Sequence, residues 1–192
     1  MARYTGPKRR LSRREGIALF AKDVKALERK GAVPPGQHGL GRRRRVSEYG
    51  LELREKQKAK RFYGILEKQF KLYFQKATKV KGATGLSLIR LLETRLDNVV
   101  YRLGFAKSRA QARQMVSHGH ITVDGKKNNI PSCQIKIEQT IALLPKLLDN
   151  TQTTLPGWLD RKATVGKVLR LPERDEMEQA IDEQLIVEYY SR

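Results

Sequence analysis

The apolar positions along the chain change their period several times, and each change predicts a different element. From Ser47 to Ala77 the period is helical: Phe62, Leu66, Phe70, Tyr73 and Phe74 share one arc of a helical wheel, while Arg54, Lys58, Arg61 and Lys68 gather on the opposite arc. One face therefore packs and the other is basic. Ile65 and Leu72 fall on the basic side, so the helix is either interrupted near Gly64 or covered on two sides. The aromatic stripe repeats at helical spacing with no polar reader beside it, which makes it core rather than a base-stacking platform. Gly82-Ala83-Thr84-Gly85 reads as a linker, after which Thr84 or Gly85 opens a helix running through Leu86, Ile89 and Leu92.

The stretch from Glu93 to Val123 organises the chain. Leu92, Leu96, Val99, Val100 and Leu103 have the spacing of one core-facing helix, and Gly104 supplies a residue that commonly ends one. Ser108 and Gln111 form the Ser-x-x-Gln pattern in which each side chain satisfies the other's backbone N–H, so a second helix starts at Arg109. It is expected to end near Gly119, with Ala112, Met115 and Val116 inward and Arg109 and Arg113 side by side on one outward face. Ile121-Thr122-Val123 has strand character, and Asp124-Gly125 suits a type I′ hairpin turn because both positions tolerate positive φ. A helix, turn, helix and hairpin of this shape is compatible with DNA and with RNA.

Beyond Val123 the apolar period becomes two, in Ile135 and Ile137 and again in Ile141 and Leu143, which predicts short strands of a small antiparallel sheet. Pro145 closes this region and Asp149 to Thr154 reads as a loop. Leu155, Trp158 and Leu159 form an isolated apolar anchor. Glu173 to Glu183 is acidic and helical in character, and Leu185-Ile186-Val187 with Tyr189-Tyr190 is apolar enough to dock, with the basic N-terminal half as receiver.

Charge narrows the chemistry. The 192 residues carry 40 Lys and Arg against 20 Asp and Glu, a net charge of +20. Residues 1–45 hold 14 basic and 3 acidic side chains, whereas residues 141–192 hold 7 and 9, so the excess lies in the N-terminal half. That asymmetry is the footprint of a polyanionic partner. Met1 to Arg10 has a Gly-Pro turn, a lone aromatic and no hydrophobic period, and Leu11 to Gly16 continues it; such a segment is expected to order only when phosphates neutralise it. Pro34-Pro35-Gly36 is a rigid turn before the run Arg42-Arg43-Arg44-Arg45, which argues contact rather than folding, as a basic extension laid into folded RNA or, alternatively, a nuclear-type address or solvated tail. No apolar run is long enough for a membrane helix, and charges stand where a signal peptide has its apolar stretch. Cys133 is the sole cysteine and is expected to pack as a small apolar residue at a strand edge.

The residues Arg95-Leu96-Asp97, Ser108-Arg109, Gln111-Ala112-Arg113, Gly119-His120-Ile121 and Val123-Asp124-Gly125 resemble a small RNA-binding module named after small-subunit ribosomal protein number four. The likeness extends over nearly the whole chain. Ala2-Arg3-Tyr4, Ser12 to Gly16, Pro35 to Gly39, Leu53 to Lys58, Glu67 to Phe70 and Leu185 to Ser191 are all similar to the bacterial family of that protein. Residues 145–172 depart from it and look shorter. The resemblance implies an α+β protein with a basic N-terminal extension over residues 1–45. A mainly helical body is built from residues 46–91 and 153–192, and a small module of two helices plus antiparallel strands is inserted at residues 92–152. It further implies early, direct binding of 16S-type rRNA that nucleates assembly of the subunit body and influences translational accuracy. The implied partners include small-subunit protein number five, entering mRNA and the protein's own operon mRNA. The implied location is the bacterial cytoplasm, with an organellar ribosome as the alternative.

The residues expected to meet rRNA are Arg3, Lys8, Arg9, Arg10, Arg13 and Arg14 in the extension, with Arg42, Arg43, Arg44 and Arg45. Arg54, Lys58 and Arg61 follow in the body, and Arg95, Ser108, Arg109, Arg113 and His118 in the module. Such contacts position a protein on RNA read by shape. Glu176, Glu178, Asp182 and Glu183 would repel phosphates, so with Tyr189 and Tyr190 they are assigned to protein contacts. Some relatives hold a four-cysteine zinc cluster near the N-terminus; here Arg9 and Ser12 stand where cysteines would, and His38, His118 and His120 lack tetrahedral spacing, so no metal or cofactor is expected. The rival reading is an RNA-modifying enzyme carrying the same module. Against it, the chain has no Gly-rich phosphate loop, no defensible carboxylate pair or Ser/His/Asp set, and no residues left for a catalytic domain or small-molecule site.

Overall fold

In a computed structural model, which describes residues 4–31, 33–39, 41, 45–144 and 155–192, the interruption near Gly64 is where the long basic segment divides. Helix α3 (Glu48–Phe62) ends there and α4 (Glu67–Ala77) begins after it, with Gly64 at φ 65°. The bend resolves the conflict in the hydrophobic pattern: Ile65 is buried in the turn, while Leu66 and Leu72 stay exposed. The chain forms two units, one of residues 1–74 with 180–192 and the other of residues 75–179.

In the first unit, α1 (Lys8–Glu15) replaces the expected featureless extension. Its helix survives because the hydroxyl of Ser12 turns inward and donates to the buried Asp23, in a 3₁₀ turn that precedes α2 (Val24–Lys30). Helix α8 (Glu183–Ser191) packs along α3, as the docking of the C-terminal apolar segment predicts. Tyr190 stacks on Phe74 at 4.5 Å between ring centroids, and its hydroxyl donates to Glu67 Oε1 at 3.0 Å. Lys56, which is buried, lies over the Tyr189 ring at 4.4 Å.

In the second unit the predicted single helix through Leu92 and Leu103 is broken in two, α5 (Thr84–Glu93) and α6 (Leu96–Arg102). The break has a local cause. Arg95 is extended and bridges Gln134, and the strap of residues 131–135 offers its carbonyls to the free N–H groups at the start of α6, Leu96 to Cys133 at 2.8 Å and Asp97 to Pro131 at 3.2 Å. That use of the strap is why Ile135 and Ile137 form no ladder strand. Ile135 is buried and Ile137 exposed. Helix α7 (Arg109–Ser117) follows α6 after a turn in which Gly104 adopts φ 72°.

The sheet is antiparallel throughout, in the order β2-β1-β3-β5-β4. Its strands are β1 (Ile121–Val123), β2 (Lys126–Lys127), β3 (Thr140–Leu143), β4 (Leu159–Lys162) and β5 (Val165–Val168). Asp124 and Gly125 sit at φ 49° and 76° in the β1–β2 turn, the two positive values a type I′ turn requires. The β4–β5 hairpin belongs to this unit, because Val165 pairs with Ala142 and Lys167 with Thr140, so residues 159–168 extend the sheet, where the body was expected to resume. Trp158 is no isolated anchor: it is fully buried in one core with Leu96, Val100, Leu103, Val116 and Ile141. Cys133 packs at the margin of the same core. The acidic stretch from Glu173 is a 3₁₀ turn, Arg174–Glu176, with the α-helix starting only at Glu183.

Candidate nucleic-acid interface

The helix start at Arg109 follows from one side chain. Ser108 is extended and its Oγ accepts the Gln111 N–H at 3.3 Å; Gln111 Oε1 in turn accepts from Lys107 N–H at 2.9 Å, one residue earlier than the Ser-x-x-Gln pattern predicts. Ala112, Met115 and Val116 are buried, as their spacing requires. Arg109 and Arg113 lie on the other side of the helix. They are not two solvated arginines: α6 presents Asp97, Asn98 and Tyr101 to them. Arg109 Nε donates to Asn98 Oδ1 at 2.8 Å and its guanidinium stands 4.5 Å from the Tyr101 ring centroid. The Arg113 side chain is only 13% exposed, with Nη1 3.4 Å from Asp97 Oδ2.

Arg95 departs furthest from its expected place. It is 2% exposed and forms a forked pair with Asp97, Nε to Oδ1 at 3.1 Å and Nη2 to Oδ2 at 2.8 Å. It is part of the scaffold that holds α6, because its charge is neutralised by Asp97 out of reach of solvent. Arg102 makes the matching fork with Glu93, at 3.0 and 2.7 Å. At the ends of α7, Ser108 and His118 are exposed, and the His118 ring lies 6.0 Å from that of His120.

The first unit keeps part of its basic set at the surface. Lys8, Arg10 and Arg14 on α1 are exposed, as is Arg45. Arg9 is exposed with Nε 3.8 Å from Asp23. Arg13, also exposed, donates to the carbonyls of Val33 at 2.8 Å and Pro34 at 3.1 Å, tying α1 to the turn cluster. The arc expected to face outward is largely occupied within the chain. Arg54, at 3.5 Å, and Arg61 both pair with Glu15, whose side chain is fully buried. Burial pushes the Glu15 carboxyl up, with the two arginines opposing the shift, and burial lowers the Arg61 guanidinium. Lys58 pairs with Glu55 and donates to the Ala180 carbonyl at 3.1 Å. Arg3, Arg42, Arg43 and Arg44 lie outside the described residues.

The acidic residues expected to meet proteins also have partners at home. Glu176 accepts a forked pair from Arg170 at 2.8 Å, Asp182 caps α8 through Gln184 N–H at 2.9 Å, and the Glu178 carbonyl accepts from Arg174 at 3.2 Å. Glu183 is half-buried in the first turn of α8, and Tyr189 lies 5.6 Å from Tyr49. Between α3 and α8 runs an open cleft of about 550 Å³ lined by Glu48, Leu51, Glu52, Leu185, Glu188, Ser191 and Arg192, in which Leu51 is exposed and the buried Glu52 accepts from Arg192 at 2.7 Å. Sequence reading missed this cleft, and it missed Glu93 and Asn98, which hold the arginines. The polar pair Asp97-Asn98 between Leu96 and Val99 was a signal, but their partners lie up to sixteen residues away on another helix. Among the described residues there is no group of three His, Cys, Asp or Glu able to hold a metal, and no helix long and apolar enough to cross a membrane.

Two family models cover this geometry. The ribosomal protein S4/S9 N-terminal domain matches residues 3–93 and the S4 domain matches residues 94–141. Over 207 residues the chain is 55% identical to small ribosomal subunit protein uS4 of Dictyoglomus turgidum, with the full length of both chains covered. It is 51% identical over 208 residues to small ribosomal subunit protein uS4A of Symbiobacterium thermophilum and 50% identical over 211 residues to small ribosomal subunit protein uS4 of Herpetosiphon aurantiacus, again over both full lengths.

Proposed function

Because this chain belongs to the small ribosomal subunit protein uS4 family, we propose that it is a structural, non-catalytic component of the small ribosomal subunit of a bacterial cytoplasm, binding 16S-type rRNA directly and early in assembly. The observation that carries the reading is the α6–α7 pair, where Arg109 and Arg113 are held side by side by Asn98, Tyr101 and Asp97 on a buried core. A guanidinium fixed in direction meets a phosphate without first losing its rotamer freedom, and so positions a rigid protein on folded RNA. The exposed Lys8, Arg9, Arg10, Arg13 and Arg14 on α1, with Arg45, supply a second basic surface on the first unit.

The cleft between α3 and α8 supports protein contact. In a chain of net charge +20, the exposed carboxylates of Glu48 and Glu188 beside the apolar Leu51 and Leu185 suit a basic protein rather than RNA. We assign it to a neighbouring small-subunit protein, number five, and the influence on translational accuracy to that contact. Contacts with entering mRNA and repression of the protein's own operon extend the proposal.

The test is hydroxyl-radical footprinting on naked small-subunit rRNA, run with wild type and with Arg109→Gln/Arg113→Gln. Discrete protection by the wild type, weakened in the double variant, is expected. Protection spread uniformly over the RNA, or a footprint that the double variant leaves unaltered, defeats the assignment.

A further inference from the structure

Three helix ends in the second unit are stitched by one chain of hydrogen bonds that leads from a buried acid to Arg109. Glu93, the last residue of α5, is fully buried and its carboxylate takes the Arg102 fork. The same Oε2 accepts from Asn98 Nδ2 at 2.6 Å, and the Glu93 carbonyl accepts from that nitrogen at 3.0 Å. Asn98 is 3% exposed, and its Oδ1 is the acceptor for Arg109 Nε at 2.8 Å.

The direction of this chain is forced by chemistry. An ionised carboxylate and a carbonyl can only accept, so the amide must turn its NH₂ toward Glu93. An arginine can only donate, so the amide oxygen must face Arg109. Both neighbours demand the same orientation. The ring of Tyr101 stands 4.5 Å from the guanidinium and adds a second contact to it.

We propose that Glu93, Asn98 and Tyr101 form a positioning relay that presets Arg109 for a phosphate of the RNA, with Asn98 as the essential link. The proposal rests on the reading of Arg109 as an RNA contact. It adds that part of the RNA affinity resides in groups that touch no RNA, the neutral and buried Asn98 above all. Asn98→Leu keeps the size of the side chain and every charge of the protein but cannot pass the interaction on.

The decisive measurement is a double-mutant cycle on small-subunit rRNA at one fixed salt concentration, with Asn98→Leu, Arg109→Gln and the double variant, and thermal melts of each. Asn98→Leu alone should weaken binding about three- to ten-fold, within the range for neighbours sharing one hydrogen-bond network. In the Arg109→Gln background the same change should cost less than about twofold, because nothing remains to be positioned. Equal losses in both backgrounds overturn the relay while leaving Arg109 as an RNA contact. An Arg109→Gln protein that binds like wild type overturns that reading and the relay with it. Should Asn98→Leu fail to fold, the same cycle is run with Tyr101→Leu, at a half-exposed site, with the same two outcomes deciding.

Discussion

Arg95 and Arg109 carry the same guanidinium and belong to the same short stretch, yet their surroundings give them different work. Arg95 is sealed against Asp97, so removing it strips that buried carboxylate of its forked partner and leaves it the longer contact with Arg113 at 3.4 Å. Arg95→Met should destabilise the protein by about 3–5 kcal/mol in denaturant unfolding. Arg109→Gln, at a half-exposed site, should cost less than about 1 kcal/mol while weakening RNA binding. Comparable losses of stability would remove the distinction drawn between the two. Ser108→Ala should cost about 1 kcal/mol, the usual contribution of an N-cap, with fraying of α7 visible as faster amide exchange at its first turn. The cap and the inward residues of α7 could be read from sequence because both depend on spacing within one helix. The sinks for the two arginines could not, since Asp97 and Asn98 reach them through the packing of α6 on α7, which no local period encodes.

At the scale of elements, helix boundaries followed the same rule. Gly64 and Gly104 end helices by their own backbone freedom, and both were visible in the chain. The break before α6 was not, because it depends on carbonyls supplied by residues 131–135. The place of β4 and β5 was hidden for a similar reason: only pairing with β3, more than twenty residues earlier, assigns them to the sheet. The docking of α8 gives a pH prediction. Burial pushes the Glu67 carboxyl upward, but hydrogen bonds from Lys56 and Lys60 outweigh this and hold it below the ordinary value of 4.5. A carboxylate depressed on folding stabilises the folded state above pH 4.5, and that contribution disappears as the pH falls through the depressed value. Since the Glu67 side chain is 46% exposed, the stabilisation is set at no more than about 1 kcal/mol. Glu67→Gln should therefore lower stability at pH 7 and make little difference once wild-type Glu67 is protonated. An equal deficit at both pH values would place the effect in packing instead.

Across the whole molecule, formal charge overstates the basic surface available to RNA. Arg54, Arg61, Arg95 and Arg102 each face an acid within the chain. The salt dependence is left to the exposed basic groups, those of α1 and the surface lysines among them, and to the α7 arginines, of which Arg109 faces an amide and Arg113 makes a 3.4 Å contact with Asp97. If Arg109 and Arg113 each neutralise one phosphate, the double glutamine variant should flatten the slope of log affinity against log salt by somewhat under two units, at about 0.7–0.9 per lost contact. Slopes that coincide would mean neither arginine reaches a phosphate. The acidic residues separate in the same way. Glu176→Gln and Asp182→Ala should lower this protein's own melting temperature, because they remove the charged Arg170 fork and the α8 cap. Glu178→Gln should leave the melt unchanged and RNA affinity equal or higher, so a large loss of affinity would contradict its assignment to protein contact.

Trp158 makes the two units optically distinct. It is the sole tryptophan in the sequence, fully buried in the core of the second unit, and its Nε1 meets no acceptor among the described residues. An indole in such a setting emits to the blue of one in water, whereas the first unit holds Tyr4, Tyr49, Tyr63, Tyr73, Tyr189 and Tyr190 and no tryptophan. Selective excitation of the indole therefore follows residues 75–179 alone, and tyrosine emission mainly the rest. The wild-type chain thus carries its own pair of chromophores for asking whether its units unfold together, and which of them an RNA fragment stabilises.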